Sequence, residues 1–154
     1  MRALVQRVAW AKVEVDGATV GAIDKGLLVY LGAGKGDGDK ERAWVLDKVV
    51  GLRIFEDDHG KMNLGVQDVG GALLVVSQFT LYADVLRGRR PGFDAAMPPE
   101  DAEKAYDAFV REARAKGLPV ETGRFRAHMR VSSLNDGPVT LWIDSAQKGD
   151  TRAP

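Results

Sequence analysis

The stretch Lys12-Val13-Glu14-Val15-Asp16-Gly17-Ala18-Thr19-Val20-Gly21-Ala22-Ile23 decides the fold class. Val13 and Val15 alternate with Lys12 and Glu14, the period-two pattern of a strand with one buried face. Asp16-Gly17 is a turn signal between apolar runs, and Val20 to Ile23 continues on its far side. A strand that doubles straight back is antiparallel. The chain therefore reads as hairpins, not as regular strand–helix–strand units.

Outward from this hairpin the pattern stays legible. Asp24-Lys25-Gly26 turns the chain again, and Leu27 to Leu31 is a short apolar run bounded by glycines, suited to a buried strand. Asp39 to Leu52 has helical spacing, with Trp44 near its start and Leu46, Val49 and Val50 on one face. Arg53-Ile54-Phe55 reads as a strand before the polar turn Glu56-Asp57-Asp58-His59-Gly60, and Ala72 to Gln78 as another. A second helix carries the stripe Ala102, Ala105, Tyr106, Phe109, Val110 and Ala113. Pro98 and Pro99 precede it, Glu100 and Asp101 occupy its first turn, and Lys116-Gly117 closes it. Val120 to Asp144 reads as strands with turns at Gly123 and Gly137-Pro138. The expectation is one α+β domain over residues 1–145. Antiparallel strands form a barrel-like sheet with two helices packed outside it, and a polar tail covers 146–154.

Composition narrows the function classes. The 154 residues are 45% hydrophobic, too rich for disorder and enough for one real core. Twenty-two basic residues balance 22 acidic ones, so contact with a nucleic acid must come from local patches or from recognition of a nucleotide end. With no cysteine, disulfide scaffolds, zinc fingers and thiol catalysis are excluded. Charge enters too early at Arg2 and Arg7 for a signal peptide, and no apolar run approaches the ~18 residues that span a membrane. A soluble cytoplasmic protein is the expectation.

Several motifs fail on inspection. Gly32-Ala33-Gly34-Lys35-Gly36-Asp37-Gly38 invites a phosphate-loop reading. That pattern needs glycine where Val29 stands and a hydroxyl where Gly36 stands. A dinucleotide reading fails at Asp37, and a flexible exposed loop is the better account. His59 and His128 are the two imidazoles, and no Gly-x-Ser-x-Gly elbow accompanies them, against an ordinary Ser-His-Asp hydrolase. The acids before His59 fit no metal-site spacing, and neither metal nor cofactor is expected.

Two segments remain: Ser77-Gln78-Phe79-Thr80-Leu81 at the end of an apolar strand, and Asn135-Asp136-Gly137-Pro138-Val139-Thr140. Alone, each has a bland account, hydroxyls bonded at a strand end and a turn. In this order and separation they resemble the paired signatures of the D-aminoacyl-tRNA deacylases. Arg2-Ala3-Leu4-Val5-Gln6-Arg7-Val8, Leu52 to Asp57, Gly60 to Leu64, Arg89-Arg90-Pro91 and Val120 to Gly123 are similar to the same family. The resemblance runs from residue 1 to about 145. The chain departs from it in two places. Gly92 stands where the family often has serine, and Arg126 and His128 stand where it often has glycine and aspartate.

The resemblance implies hydrolysis of the ester joining a D-amino acid, and of a glycyl ester, to the 3′ end of tRNA. Negative charge develops on the attacked carbonyl oxygen, so such a site needs donors and a proton acceptor. Thr80, Gln78 and Ser77 are the catalytic candidates, with Phe79 beside them at the substrate. Thr80 either lines the site while the terminal 2′-hydroxyl of tRNA assists, or acts as a nucleophile aided by Gln78. No base near it in sequence favours the lining role. D and L esters carry the same groups, so discrimination falls to a backbone that blocks one side-chain position. The resemblance implies that Gly137-Pro138 does this, with a cis bond, inside the active site of a partner copy in a homodimer. It further implies that Arg7 holds that segment. Phe125 and Met129 match positions near the terminal adenosine, where they could stack on the base or simply pack in the core. Arg87, Arg89 and Arg90 are either phosphate contacts or a solvated turn. A binding module without catalysis, a purely structural dimer and a deacylase of mischarged L-amino acids are the competing readings.

Overall fold

A computed structural model describes residues 1–149, so most of the expected tail, from residue 150 onward, lies outside the described residues. The spine of the fold is strand β1, Arg2–Val15. At Asp16 and Gly17, with φ of 50° and 78°, it turns into β2, Ala18–Ile23. Positive φ at both positions is the geometry of a two-residue hairpin, as the Asp-Gly signal predicts. Strand β3, Gly26–Gly32, also pairs antiparallel with β1, setting Leu31 opposite Ala3 and Val29 opposite Val5.

Helix α1, Asp39–Gly51, then carries the chain across the sheet. A small antiparallel pair follows, β4 (Phe55–Glu56) with β5 (Met62–Leu64), so the strand expected from Arg53 begins only at Phe55. β6, Ala72–Ser77, returns to the main sheet. Helix α2, Pro99–Ala115, leads to β7, Val120–Thr122, and finally to the long β8, Arg130–Asp144, antiparallel to β1 along its other edge.

The sheet is mixed rather than purely antiparallel. β6 is parallel to β3 on one side and to β7 on the other. Parallel neighbours need a long crossover, and α1 and α2 supply the two that are required. Leu27 to Leu31 and Leu73 to Val76 are continuously apolar instead of alternating. Such runs belong to strands covered on both faces. Leu27, Val29, Leu73 and Val75 pack toward the helices, whereas Leu28, Leu74 and Val76 point into a second cluster with Val8, Ala11, Val13 and Ile23. That second cluster is the inside of a barrel. β2 curls onto β6 and β7, and a β-carbon at Gly21 would lie 2.1 Å from the Thr122 carbonyl oxygen, so only glycine permits this close approach.

Both helices cover the first cluster. Val45, Leu46 and Val49 of α1 and Tyr106, Phe109, Val110 and Ala113 of α2 are buried there. Pro98 stands at the N-cap of α2 and Pro99 at its first position, where a missing N–H costs nothing. Arg42 of α1 donates twice to Glu112 of α2, at 3.0 and 2.8 Å, and holds that carboxyl below its usual range. No helix among the described residues is long and apolar enough to cross a membrane.

Candidate active site

The first signature sits where β6 leaves the sheet. Ser77 makes the last pairing, with Leu31, and the Gln78 amide donates to the Leu31 carbonyl at 2.8 Å. The chain then winds into one 3-10 turn, Phe79–Tyr82, because Leu81 and Ala83 donate back to the carbonyls of Gln78 and Thr80. The turn leaves Phe79 and Thr80 exposed. The Gln78 side-chain amide donates a hydrogen bond to the Thr80 hydroxyl oxygen. An amide NH2 has no lone pair to take a proton, so this contact orients the hydroxyl without activating it. Among the described residues no carboxylate or imidazole bonds to Thr80.

A cleft of about 790 Å³ opens beside the turn, lined by Ser77, Gln78 and Phe79 but not by Thr80. Phe93 closes one side and meets Phe79 edge-on, ring centroids 4.9 Å apart. Phe125 and Met129 also line it. Gly123 makes room for Met129, since a β-carbon there would fall 2.6 Å from its sulfur. Tyr106 lies 6.0 Å from Phe125 and donates to the Val75 carbonyl at 2.7 Å, tying α2 to β6 beneath the cleft. Burial, reinforced by Asp107, pushes the Tyr106 hydroxyl up to about 12. His128 lines the same cleft, while His59 sits in a turn held by Asp57. Among the described residues no cluster of three or more His, Cys, Asp and Glu side chains is arranged for a metal.

The second signature is not the chain-reversing turn expected at Gly137-Pro138. β8 runs straight through it and bulges. Asn135 pairs with Val8 and Thr140 with Gln6, so five steps on β8 face two on β1 and residues 136–138 are thrown outward. Asn135 closes the base of the bulge. Its amide donates to the Thr140 hydroxyl at 2.9 Å, and its carbonyl oxygen accepts from the Val139 amide at 3.0 Å. Beneath it Arg7, only 8% exposed, donates to the carbonyls of Asp136 at 2.9 Å and Ile54 at 2.7 Å. Gly137 has φ of 144° and precedes Pro138 through a cis bond. A β-carbon at Gly137 would meet Val139 at 2.7 Å and Arg7 at 3.1 Å, so no other residue fits. Val139 is buried, whereas Gly137 and Pro138 face solvent.

The two signatures of one chain do not meet. Ser77 pairs with Leu31 and Leu31 with Ala3, whereas the bulge stands opposite Arg7. From Ala3 to Arg7 is four positions (7 − 3), about 13 Å along β1. β8, β1, β3 and β6 are successive neighbours, adding about 14 Å across the sheet.

Sequence reasoning missed what lies behind the 3-10 turn. The glycine-rich segment after β3 is tied down at Asp37, although Lys35, Gly36 and Gly38 remain exposed. The Gly34 amide and the Tyr82 hydroxyl both donate to Asp37, at 2.7 and 3.3 Å, and the Met1 ammonium pairs with the same carboxylate at 2.6 Å. The Tyr82 ring occupies the space a side chain at Gly34 would need. Arg2 donates to the Leu81 carbonyl at 2.9 Å and lies 4.4 Å over the Tyr82 ring. A single acid among four glycines was the one available signal, and it reads the same in a solvated loop.

Comparison with known proteins gives a consistent result. A family model described as D-Tyr-tRNA(Tyr) deacylase matches residues 4–144. The chain is 58% identical over 147 residues to a D-aminoacyl-tRNA deacylase of Thermotoga petrophila, covering 96% of this chain and 99% of that one. It is 52% identical over 151 residues to a protein of the same description from Geobacter sulfurreducens, covering 98% and 99%. Among solved structures, one described as c-Myc DNA Unwinding Element Binding Protein superposes with a TM-score of 0.89 at 42% identity, covering 94% of this chain and 98% of that chain. A probable eukaryotic D-amino acid tRNA deacylase shares the fold at a TM-score of 0.76 and 17% identity, over 92% of this chain and 97% of that one.

Proposed function

Because the chain belongs to the D-Tyr-tRNA(Tyr) deacylase family, we propose that it is a D-aminoacyl-tRNA deacylase, which hydrolyses the ester between a D-amino acid and the 3′ end of tRNA. Water attacks the ester carbonyl in the cleft at the end of β6. Ser77, Gln78 and Phe79 line the substrate, and the 2′-hydroxyl of the terminal nucleoside assists. Thr80 positions rather than attacks, because its hydroxyl is bonded to an amide donor and has no base. Phe125 and Met129 receive the terminal adenosine.

The chiral filter is the backbone of Gly137-Pro138, supplied by a second copy of the chain. The observation that carries this reading is the Arg7-held bulge, which is rigid, protruding and too far from Ser77 in its own chain to act there. Trp10, Leu134 and Trp142, 40%, 52% and 46% exposed along β1 and β8, support a homodimer through that face. A backbone that rejects an L side chain has nothing to reject in glycine, so glycyl-tRNA is also a substrate. Proofreading of this kind belongs in the cytoplasm, with the charged tRNA pool.

The test is to incubate the protein with D-Tyr-tRNA, L-Tyr-tRNA and Gly-tRNA and follow amino-acid release. Loss of the D and glycyl esters with the L ester intact is expected, from a species of about 33 kDa, twice the 16.7 kDa chain. Release from L-Tyr-tRNA would reassign the enzyme to mischarged L-amino acids. The relative described as a DNA unwinding element binding protein favours a second reading, binding of nucleic acid without hydrolysis. Absence of ester cleavage together with retention of labelled DNA would establish it instead.

A further inference from the structure

The turn from Arg124 to Ala127 carries a side chain where its backbone favours none. The Ala127 amide donates to the Arg124 carbonyl at 3.2 Å, and Arg126, the third residue of the turn, has φ of 64°. A positive φ at that place is glycine's usual role. The other non-glycine residue with positive φ among the described residues is Asp16, a residue type that tolerates the left-handed region. Arginine is not among the residue types enriched there, and strain of this kind, kept only where the surrounding structure over-determines it, clusters at functional sites. Arg126 is exposed and lines the cleft next to Phe125, and Lys35 lines the same cleft. Among the described residues neither cation has an acidic partner, and Asp94 is the one carboxylate on the lining.

We propose that Arg126, together with Lys35, binds the phosphodiester that precedes the terminal nucleoside of the tRNA ester, an inference that rests on the deacylase reading above. The floor of the cleft around Phe125, Met129 and Tyr106 is apolar and suits a nucleoside. A nucleoside seated there carries its 5′ phosphate toward the rim. The planar guanidinium fork matches two phosphate oxygens, and the lysine adds a point charge. Because the whole chain is formally neutral, attraction for this polyanion has to be local, and these two residues concentrate it beside the reacting ester.

Arg126→Gly separates strain from contact. Relief of the strained φ should raise the melting temperature by about 2–4 °C. On D-Tyr-tRNA, KM should rise roughly tenfold, the equivalent of one charge-assisted contact. The slope of log(kcat/KM) against log salt should flatten by about 0.7. The D-tyrosyl ester of adenosine carries no phosphate, so its KM should show no such rise. Arg126→Lys should recover the salt slope without the gain in melting temperature. An unchanged KM on tRNA, or equal rises on tRNA and nucleoside ester, overturns the phosphate role while leaving the deacylase standing. If the unaltered protein cleaves neither ester, the deacylase reading fails and this inference falls with it.

Discussion

The bulge at residues 136–139 and the 3-10 turn at Phe79–Tyr82 hold their shapes in opposite ways. The bulge is a main-chain object. A buried guanidinium grips it from below, the Asn135 side chain staples its base, and Val139 anchors it in the core. The turn is held by its own backbone and by Arg2 on the Leu81 carbonyl, and it displays the side chains of Phe79 and Thr80. The contrast teaches where function is stored. Substitution in the bulge changes a shape, whereas substitution in the turn removes one group from an unchanged frame.

The largest effect should therefore come from Gly137→Ala. Its new β-carbon would sit 2.7 Å from Val139 at φ of 144°, so the bulge must move. A displacement of about 1 Å near a reacting centre costs on the order of 100-fold. We expect at least that loss in kcat/KM on D-Tyr-tRNA with circular dichroism unchanged, and near-normal turnover would dissolve the contrast. Arg7→Ala comes next. It strands the carbonyls of Asp136 and Ile54, at a cost of about 2–3 kcal/mol in urea unfolding, and on the proposed function loosens the chiral filter. Release from L-Tyr-tRNA should rise in this variant above the wild-type background.

Thr80→Ala should be milder, roughly tenfold in single-turnover rate, if its hydroxyl positions without attacking as proposed above. A fall nearer 10⁴-fold or more is the mark of a lost nucleophile and would reverse the assignment. The smallest effect is a matter of pH. Burial raises Tyr106 to about 12, so the folded protein holds that proton more tightly than the unfolded chain, which titrates near 10. The corresponding stability is complete below about pH 10 and is lost as pH climbs toward 12. Tyr30 and Tyr82 are raised by burial as well, so the steepness of the alkaline fall must be compared between wild type and Tyr106→Phe. The variant should fall less steeply while losing about 1 kcal/mol at neutral pH with the Val75 bond.

Local chemistry was legible in the sequence wherever one residue type dictates one geometry. Asp16-Gly17 foretold its hairpin, Pro98-Pro99 the start of α2, and the stripe from Ala102 to Ala113 the buried face of that helix. Strand direction was not legible, because an apolar run such as Leu73 to Val76 has no polarity of its own. Its neighbours are chosen by crossovers that only the assembled helices define. The two signatures were found through resemblance, but their form was hidden. Asn-Asp-Gly-Pro reads as a reversal, and only pairing of β8 with β1 on both sides of it makes it a bulge. The Asp37 network also escaped notice, since it joins Met1, Gly34 and Tyr82 across long separations in the chain.

One strand, β1, feeds both hydrophobic clusters: Ala3 and Val5 belong to the helix-covered side, and Val8, Ala11 and Val13 to the barrel interior. The two halves share this spine, so the described fold is expected to unfold in one cooperative step. For an enzyme with the proofreading role proposed above, this would be a safeguard. If the Arg7-held bulge is the chiral filter proposed above, a partly open molecule that kept the 3-10 turn and lost the bulge would strip correctly charged tRNA and starve translation. Arg7 beneath the bulge and Arg2 on the Leu81 carbonyl both stand on β1, so on the proposed function heat should abolish discrimination and hydrolysis together, and failure would take the form of silence rather than indiscriminate destruction.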